Sequence, residues 1–200
     1  LTEAVDAQIG RILAAVDGRR TVVIFVSDHG NMHANHGLAS KGVFYEESVR
    51  VPFIIADRDA IPGGRVDTNT LVNTGLDILP TCCDYAGVPA PESCLGVSVR
   101  PAAEGRAGTA AAEEGPPTRE YVASENDHGR MIRTDRYKYT VYAGAEPREI
   151  LTDLVADSGE LHNLAANGRN ADLLAQHRTM MRDWFEKSGD EVGLREFVVV

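Results

Sequence analysis

Apolar residues recur at intervals of three and four over residues 2–17, at Val5, Ile9, Ile12, Leu13 and Val16. That period predicts an amphipathic helix, and Asp17-Gly18 marks its end. The pattern then changes to an unbroken β-branched and aromatic run over 21–26. Such a run is expected of a strand buried on both faces, as in a parallel sheet covered by helices. A polar stretch over 27–42, with three glycines and three histidines, separates it from a second apolar strand over 51–56. Pro52 should lie near the start of that strand, because proline cannot donate to a central ladder. Ile61-Pro62-Gly63-Gly64 reads as a turn and 71–73 as a short extended piece. Residues 77–86 read as a helix, with Pro80 in its first turn and Gly87 beyond its end. Helix, short turn and buried strand together point to an α/β fold.

The pattern shifts again near residue 100. Residues 101–118 are rich in Ala, Gly, Glu and Pro and read as an exposed linker or mobile loop. Beyond them, 121–124, 130–133 and 137–142 read as strands, with Thr134-Asp135-Arg136 as a hairpin turn. Tyr137, Tyr139 and Val141 would share one face, and 149–154 would extend the sheet. Residues 170–187 read as a helix with Leu173, Leu174, His177, Met181, Trp184 and Phe185 on one side. The apolar tail 197–200 could pair with a sheet edge. The expected organisation is an α/β unit over 1–100, in which a partial sheet is covered by helices, then a linker over 101–118. A small α+β subdomain over 119–200 follows, with an antiparallel sheet and a packing helix.

A chain of 200 residues, 43% hydrophobic and 25% charged, has the composition of an ordinary globular protein. Its formal charge of −10 argues against a nucleic-acid-binding surface. It also repels anionic substrates at long range, so an anion site must create its own local positive field. No apolar run approaches the length of a membrane span. The first residues lack an initiator Met and the features of a signal peptide. The numbering is therefore expected to begin inside a longer protein, and export is left open because a leader would lie upstream. Three cysteines, two of them adjacent (Cys82, Cys83 and Cys94), make a poor disulfide framework. Cys82 and Cys83 are expected to pack as small hydrophobes.

Candidate chemistry lies where the 21–26 run stops, at Ser27-Asp28-His29-Gly30. Ligands of open α/β sheets collect beyond the carboxyl ends of strands. A carboxylate there suits a hard cation, an imidazole suits transition metals more often, and Lys41 offers a compact positive charge for an anion. An Asp at a strand end also serves as a plain turn former, so these residue types alone leave both readings open.

The order of residues narrows the choice. Val26-Ser27-Asp28-His29-Gly30, His36-Gly37-Leu38 and the run from Lys41 through Pro52 resemble the sulfatase family of the alkaline phosphatase superfamily. So do Asp77-Ile78-Leu79-Pro80-Thr81, Ala86-Gly87-Val88-Pro89, Arg130-Met131-Ile132-Arg133-Thr134 with Tyr137-Lys138-Tyr139, and Asp157-Ser158-Gly159-Glu160-Leu161-His162-Asn163-Leu164-Ala165. Ser158 stands where that family usually has Pro. The resemblance implies Asp28 and His29 as ligands of a calcium ion, with Mg2+ and Mn2+ as alternatives. It implies Lys41 as the contact to the sulfate or its leaving oxygen, and an orienting hydrogen bond for His36. The implied substrate is a sulfate ester, of a small molecule or a glycan.

The resemblance covers the C-terminal half of such an enzyme. Its nucleophile is a hydrated formylglycine made from a Cys/Ser-x-Pro/Ala-x-Arg motif, and no segment matches: Ser93-Cys94-Leu95-Gly96-Val97 lacks the Pro and the Arg, and Cys82-Cys83-Asp84-Tyr85-Ala86 also fails. The paired N-terminal aspartates and a further histidine are likewise absent. A fragment of a longer enzyme, one chain of a split protein and a degenerate binding relative all fit, and a start inside a helix without Met favours the first. The expected partner is the missing N-terminal half of the same enzyme, and an exposed apolar patch is expected where it would pack. Phosphonate monoester or phosphodiester hydrolysis is the nearest rival activity, and a non-catalytic binding module is a different class. Elsewhere, Asn126-Asp127-His128 reads as a solvated turn before the hairpin, with pocket lining as the alternative. His162 reads as a cap, His177 as core, and Glu47 and Arg50 as a structural pair.

Overall fold

The computed structural model describes residues 2–105 and 119–199. Helix α1 (Thr2–Ala15) forms where the three-four period predicts it, yet none of its residues is buried. Val5, Ile12 and Leu13 lie exposed, so its apolar stripe meets no cover among the described residues. Strand β1 (Val23–Val26) pairs antiparallel with β2 (Phe53–Ala56), Val26 opposite Phe53. This corrects the expectation of a parallel, doubly covered sheet. The connection over 27–52 carries the 3-10 turn Asn35–Gly37 and the four-residue helix α2 (Glu46–Val49), with no long helix of the kind that usually carries a chain back to a parallel neighbour. Both outer strand edges are unpaired among the described residues, and Phe25 and Ile54 are exposed. Pro52 falls just before the first paired residue, as its missing N–H demands.

Helix α3 (Thr74–Ala86) starts three residues before the expected boundary. The side chain of Asn73 caps it by accepting the Gly75 N–H at 3.0 Å. Pro80 is therefore interior, not in the first turn, and cannot bond the Leu76 carbonyl. Gly96 packs against that carbonyl, where a Cβ would fall 2.0 Å from the Leu76 oxygen. Asp77, fully buried, accepts from the backbone of Asn73 and Val97 and from both terminal nitrogens of Arg119 (2.7–3.0 Å). Its charge is thus compensated on every side. Cys82 is exposed and Cys83 half-buried, and all three cysteines are free. Cys82 is therefore not the packed hydrophobe expected. Helix α4 (Arg100–Ala103) occupies the start of the expected linker, and its remainder over 106–118 lies outside the described residues.

Strands β3 (Val122–Asn126), β4 (Gly129–Arg133), β5 (Tyr137–Tyr142) and β6 (Glu149–Asp153) form an antiparallel meander in chain order. Helix α5 (Ala171–Ser188) covers one face. Ile132, Tyr139, Val141, Leu151, Met181 and Phe185 make the core, matching the predicted face of β5. His177 is buried there, its Nδ1 2.8 Å from the Leu173 carbonyl, between the rings of Tyr137 and Tyr139. The apolar tail does not join a strand. Gly193–Phe197 forms a π-helical turn that buries Phe197, with the Arg130 guanidinium over its ring. Burial of that ring against α5 and β4 wins over edge pairing.

Removing the Phe185 ring should cost about 3–5 kcal/mol, read as a lower denaturant midpoint for Phe185→Ala. Burial pushes the Glu149 carboxyl up, but Arg178 and Tyr139 outweigh it and hold it below the ordinary glutamate range. Its contribution is therefore complete above that range and lost as pH falls through the lowered value. Glu149→Gln should flatten the acid limb of the stability-pH curve, and an unchanged limb would refute this.

Candidate active site

The site begins where β1 ends. The Ser27 hydroxyl donates to the His29 carbonyl at 2.8 Å, turning the chain sharply after the strand. Asp28 then stands out from the sheet, its side chain 83% exposed. Its Oδ1 accepts the His29 backbone N–H at 3.0 Å. That bond, with a smaller contribution from the Lys41 ammonium, holds the carboxyl below the usual carboxylate range.

The His29 Nδ1 lies 2.7 Å from the Gly30 carbonyl oxygen. A carbonyl only accepts, so this partner places the proton on Nδ1 and leaves a lone pair on Nε2. Lys41 Nζ approaches Nε2 at 2.5 Å and Asp28 Oδ2 lies 3.4 Å from it. A carboxylate, an imidazole lone pair and an ammonium thus converge, and all three line one open hollow that runs on past β2 to β3. The two donors are spaced so that one hard cation with bonds of about 2.4 Å could bridge them. Among the described residues no cluster of three or more His, Cys, Asp or Glu side chains assembles. The chain therefore offers an edge of a cation site, not a complete cage.

His36 is not brought into this group. Its ring stacks on Tyr45, centroids 3.8 Å apart, and it does not line the hollow. The expected orienting hydrogen bond is replaced by that stack, because the turn at 35–37 places His36 in the left-handed region, with φ of 53°. Asn126 does reach the loop, where its amide donates to the Gly42 carbonyl at 3.0 Å. The following Asp127 and His128 stay exposed in the turn. An Asn at a hairpin entry carries no sequence signal for such a contact, since its partner lies 84 positions away. His162 is exposed, and both its N–H and its Nδ1 meet Asp157, a turn-closing role. The expected pair of Glu47 with Arg50 is replaced by ion pairs from Arg133 and Lys138 to Glu46.

Residues 34–187 match the family described as N-sulphoglucosamine sulphohydrolase, C-terminal. The chain belongs to the sulfatase family. It is 34% identical over 203 residues to the Delta 4,5-hexuronate-2-O-sulfatase of Bacteroides thetaiotaomicron, covering 95% of this chain and 40% of that protein. A solved 2-O GAG sulfatase superposes with TM-score 0.81 at 33% identity, over 94% of this chain and 42% of that one. The phosphonate monoester hydrolase of Agrobacterium radiobacter gives TM-score 0.74 at 27% identity, over 92% and 39%. The sulfatase chain thus spans about 40% of the length of the first of these relatives.

Gly30 is a tight point of this loop. Its N–H donates to Ser48 at 2.8 Å, and a Cβ there would fall 2.0 Å from the Glu47 carbonyl. Gly30→Ala is expected to push α2 away, to cost about 1–3 kcal/mol and to shift the His29 ring resonances. Unchanged stability and resonances would show that α2 has room to spare.

Proposed function

We propose that this chain supplies the C-terminal share of a sulfate-ester hydrolase, with Asp28 and His29 as two ligands of a divalent cation and Lys41 as the oxyanion contact. The observation that carries it is the convergence of Asp28 Oδ2 and Lys41 Nζ on the unprotonated Nε2 of His29. Calcium is the proposed ion, with Mg2+ and Mn2+ as alternatives. When bound, it supplies Lewis-acid neutralisation of the sulfuryl oxygens. Lys41 has an exposed, flexible stem and can turn its ammonium to the leaving oxygen, where negative charge grows in the transition state. The Gly30 carbonyl keeps His29 in one tautomer throughout, so Nε2 stays available as a donor.

The remaining cation ligands and the nucleophile, a hydrated formylglycine, are expected from residues outside this sequence. The open edges of β1 and β2 and the uncovered stripe of α1 support the same reading, because apolar surface of this extent calls for cover. Similarity to a hexuronate 2-O-sulfatase and a 2-O GAG sulfatase favours a sulfated glycan as substrate over a small sulfate ester. Similarity to a phosphonate monoester hydrolase supports phosphonate or phosphodiester cleavage as the second reading, because a cation and a lysine serve phosphoryl oxygens as well as sulfuryl ones.

Three measurements test these readings. The 200-residue chain alone should show no turnover of an aryl sulfate above background, since the nucleophile is missing. In the full-length enzyme, Lys41→Ala should lower kcat by about 10²–10³, and retained activity would remove Lys41 from the mechanism. Aryl sulfate and phosphonate monoester assayed side by side should favour the sulfate; the reverse order would install the second reading. An upstream coding sequence without Cys/Ser-x-Pro/Ala-x-Arg would favour a binding module instead.

A further inference from the structure

A buried charge cluster lies behind the loop that carries Lys41. Lys138 on β5 is 3% exposed. Its ammonium sits 2.6 Å from Glu160 Oε1 and 3.2 Å from Glu46 Oε1, and Arg133 Nε lies 3.3 Å from the same Glu46 oxygen. Two positive and two negative groups face one another, so the cluster is internally neutral. The second Glu160 oxygen accepts the backbone N–H of Glu46 at 2.7 Å. That N–H belongs to the first residue of α2, and the Tyr45 side chain leaves the helix uncapped. Glu160, 114 positions away, does the capping.

The consequence runs through α2 to the site. Ser48 of α2 accepts the Gly30 N–H, and the Gly30 carbonyl holds the His29 Nδ1. In front of α2, Phe44 N–H donates to the Tyr142 hydroxyl and Gly42 accepts from Asn126. Glu160 is itself held at a φ of 52°, an unfavourable region for a residue with a side chain. The Glu160 N–H bond to Asp157 and the Asp157 bond to His162 close the turn around it. A backbone strain of this kind persists only where the surroundings over-determine it.

We infer that Glu160 and Lys138 are positioning residues: seated on the C-terminal sheet, they lock α2 so that Gly30 holds His29 in its Nδ1-protonated form beside Lys41. This inference rests on the reading of Asp28, His29 and Lys41 as the site.

The test uses the 200-residue chain labelled with 15N, at one fixed pH. The His29 ring nitrogens report the tautomer, and amide exchange reports Gly30 and Glu46. Glu160→Ala is expected to raise exchange at both amides by about tenfold or more, the loss of one charge-assisted bond, and to mix the His29 tautomers. Glu160→Gln keeps a carbonyl for the Glu46 N–H and should recover most of the His29 pattern. Leu151→Ala, in the core of the same sheet, should lower the denaturation midpoint without moving the His29 signals. The inference is overturned if Glu160→Ala lowers stability yet leaves Gly30 exchange and the His29 tautomer as they were. Where Glu160→Ala does not fold, Lys138→Met, which removes the ammonium that seats Glu160, is read instead: faster Gly30 exchange supports the inference and unchanged exchange overturns it. The site reading is probed separately in the full-length enzyme, where Asp28→Ala should weaken calcium binding by about tenfold or more. Unchanged calcium affinity there, with the His29 tautomer still lost in Glu160→Ala, keeps the positioning role and removes the site reading.

Discussion

The hydrogen bond from His29 Nδ1 to the Gly30 carbonyl decides what the end of β1 can do. With the proton held on Nδ1, Nε2 is a donor to metals and an acceptor from ammonium groups. Without that bond, His29 would divide its time between tautomers and rotamers, and Asp28 and Lys41 would have nothing to converge on. The bond is short-range in sequence but not self-sufficient. Gly30 is pinned by Ser48, and a side chain on Gly30 has no space against Glu47. The site therefore depends on where α2 sits.

Helix α2 is too short to be stable alone, so its place is dictated from outside. One side of the molecule supplies the strand that presents Asp28 and His29. The other, the four-stranded sheet with α5, supplies Asn126, Tyr142 and the Lys138–Glu160 pair that hold the intervening loop. The sheet can do this because its opposite face is packed by α5 through Met181, Phe185 and Leu174. A rigid apolar layer thus lies behind a polar layer that touches the loop. Burying Lys138 and Glu160 together is tolerable because the ammonium meets two carboxylates and both Glu160 oxygens have a partner, since a lone buried charge would cost about 3–5 kcal/mol.

The other face of the molecule has the opposite character. Along α1 and the β1–β2 pair, residues with the apolar pattern of a core lie open. In a sulfatase chain that spans about 40% of its relative's length, pattern and burial disagree there, while they agree closely in the C-terminal sheet. That contrast locates the self-contained packing in residues 119–199.

Much of this was legible in the sequence. Three-four periods located α1 and α5, and short apolar or alternating runs bounded by turn signals located all six strands, because those patterns report which residues are built to meet apolar neighbours. The grouping of Asp28, His29 and Lys41 was legible from the order of residues that resembles the sulfatase family, since residue types at a strand end by themselves fit a plain turn as well. The antiparallel pairing of β1 with β2, the true start of α3 at Thr74 and the inward turn of Phe197 were not, since each depends on what lies alongside. The same holds at the site. His36 shares the loop's residue types, yet a left-handed backbone turn sends its ring to Tyr45. Glu160 and Asn126 look like ordinary turn residues, yet contacts spanning 114 and 84 positions make them supports of the loop. Local composition sets which chemistry is available; only the packing of distant segments decides which atoms meet.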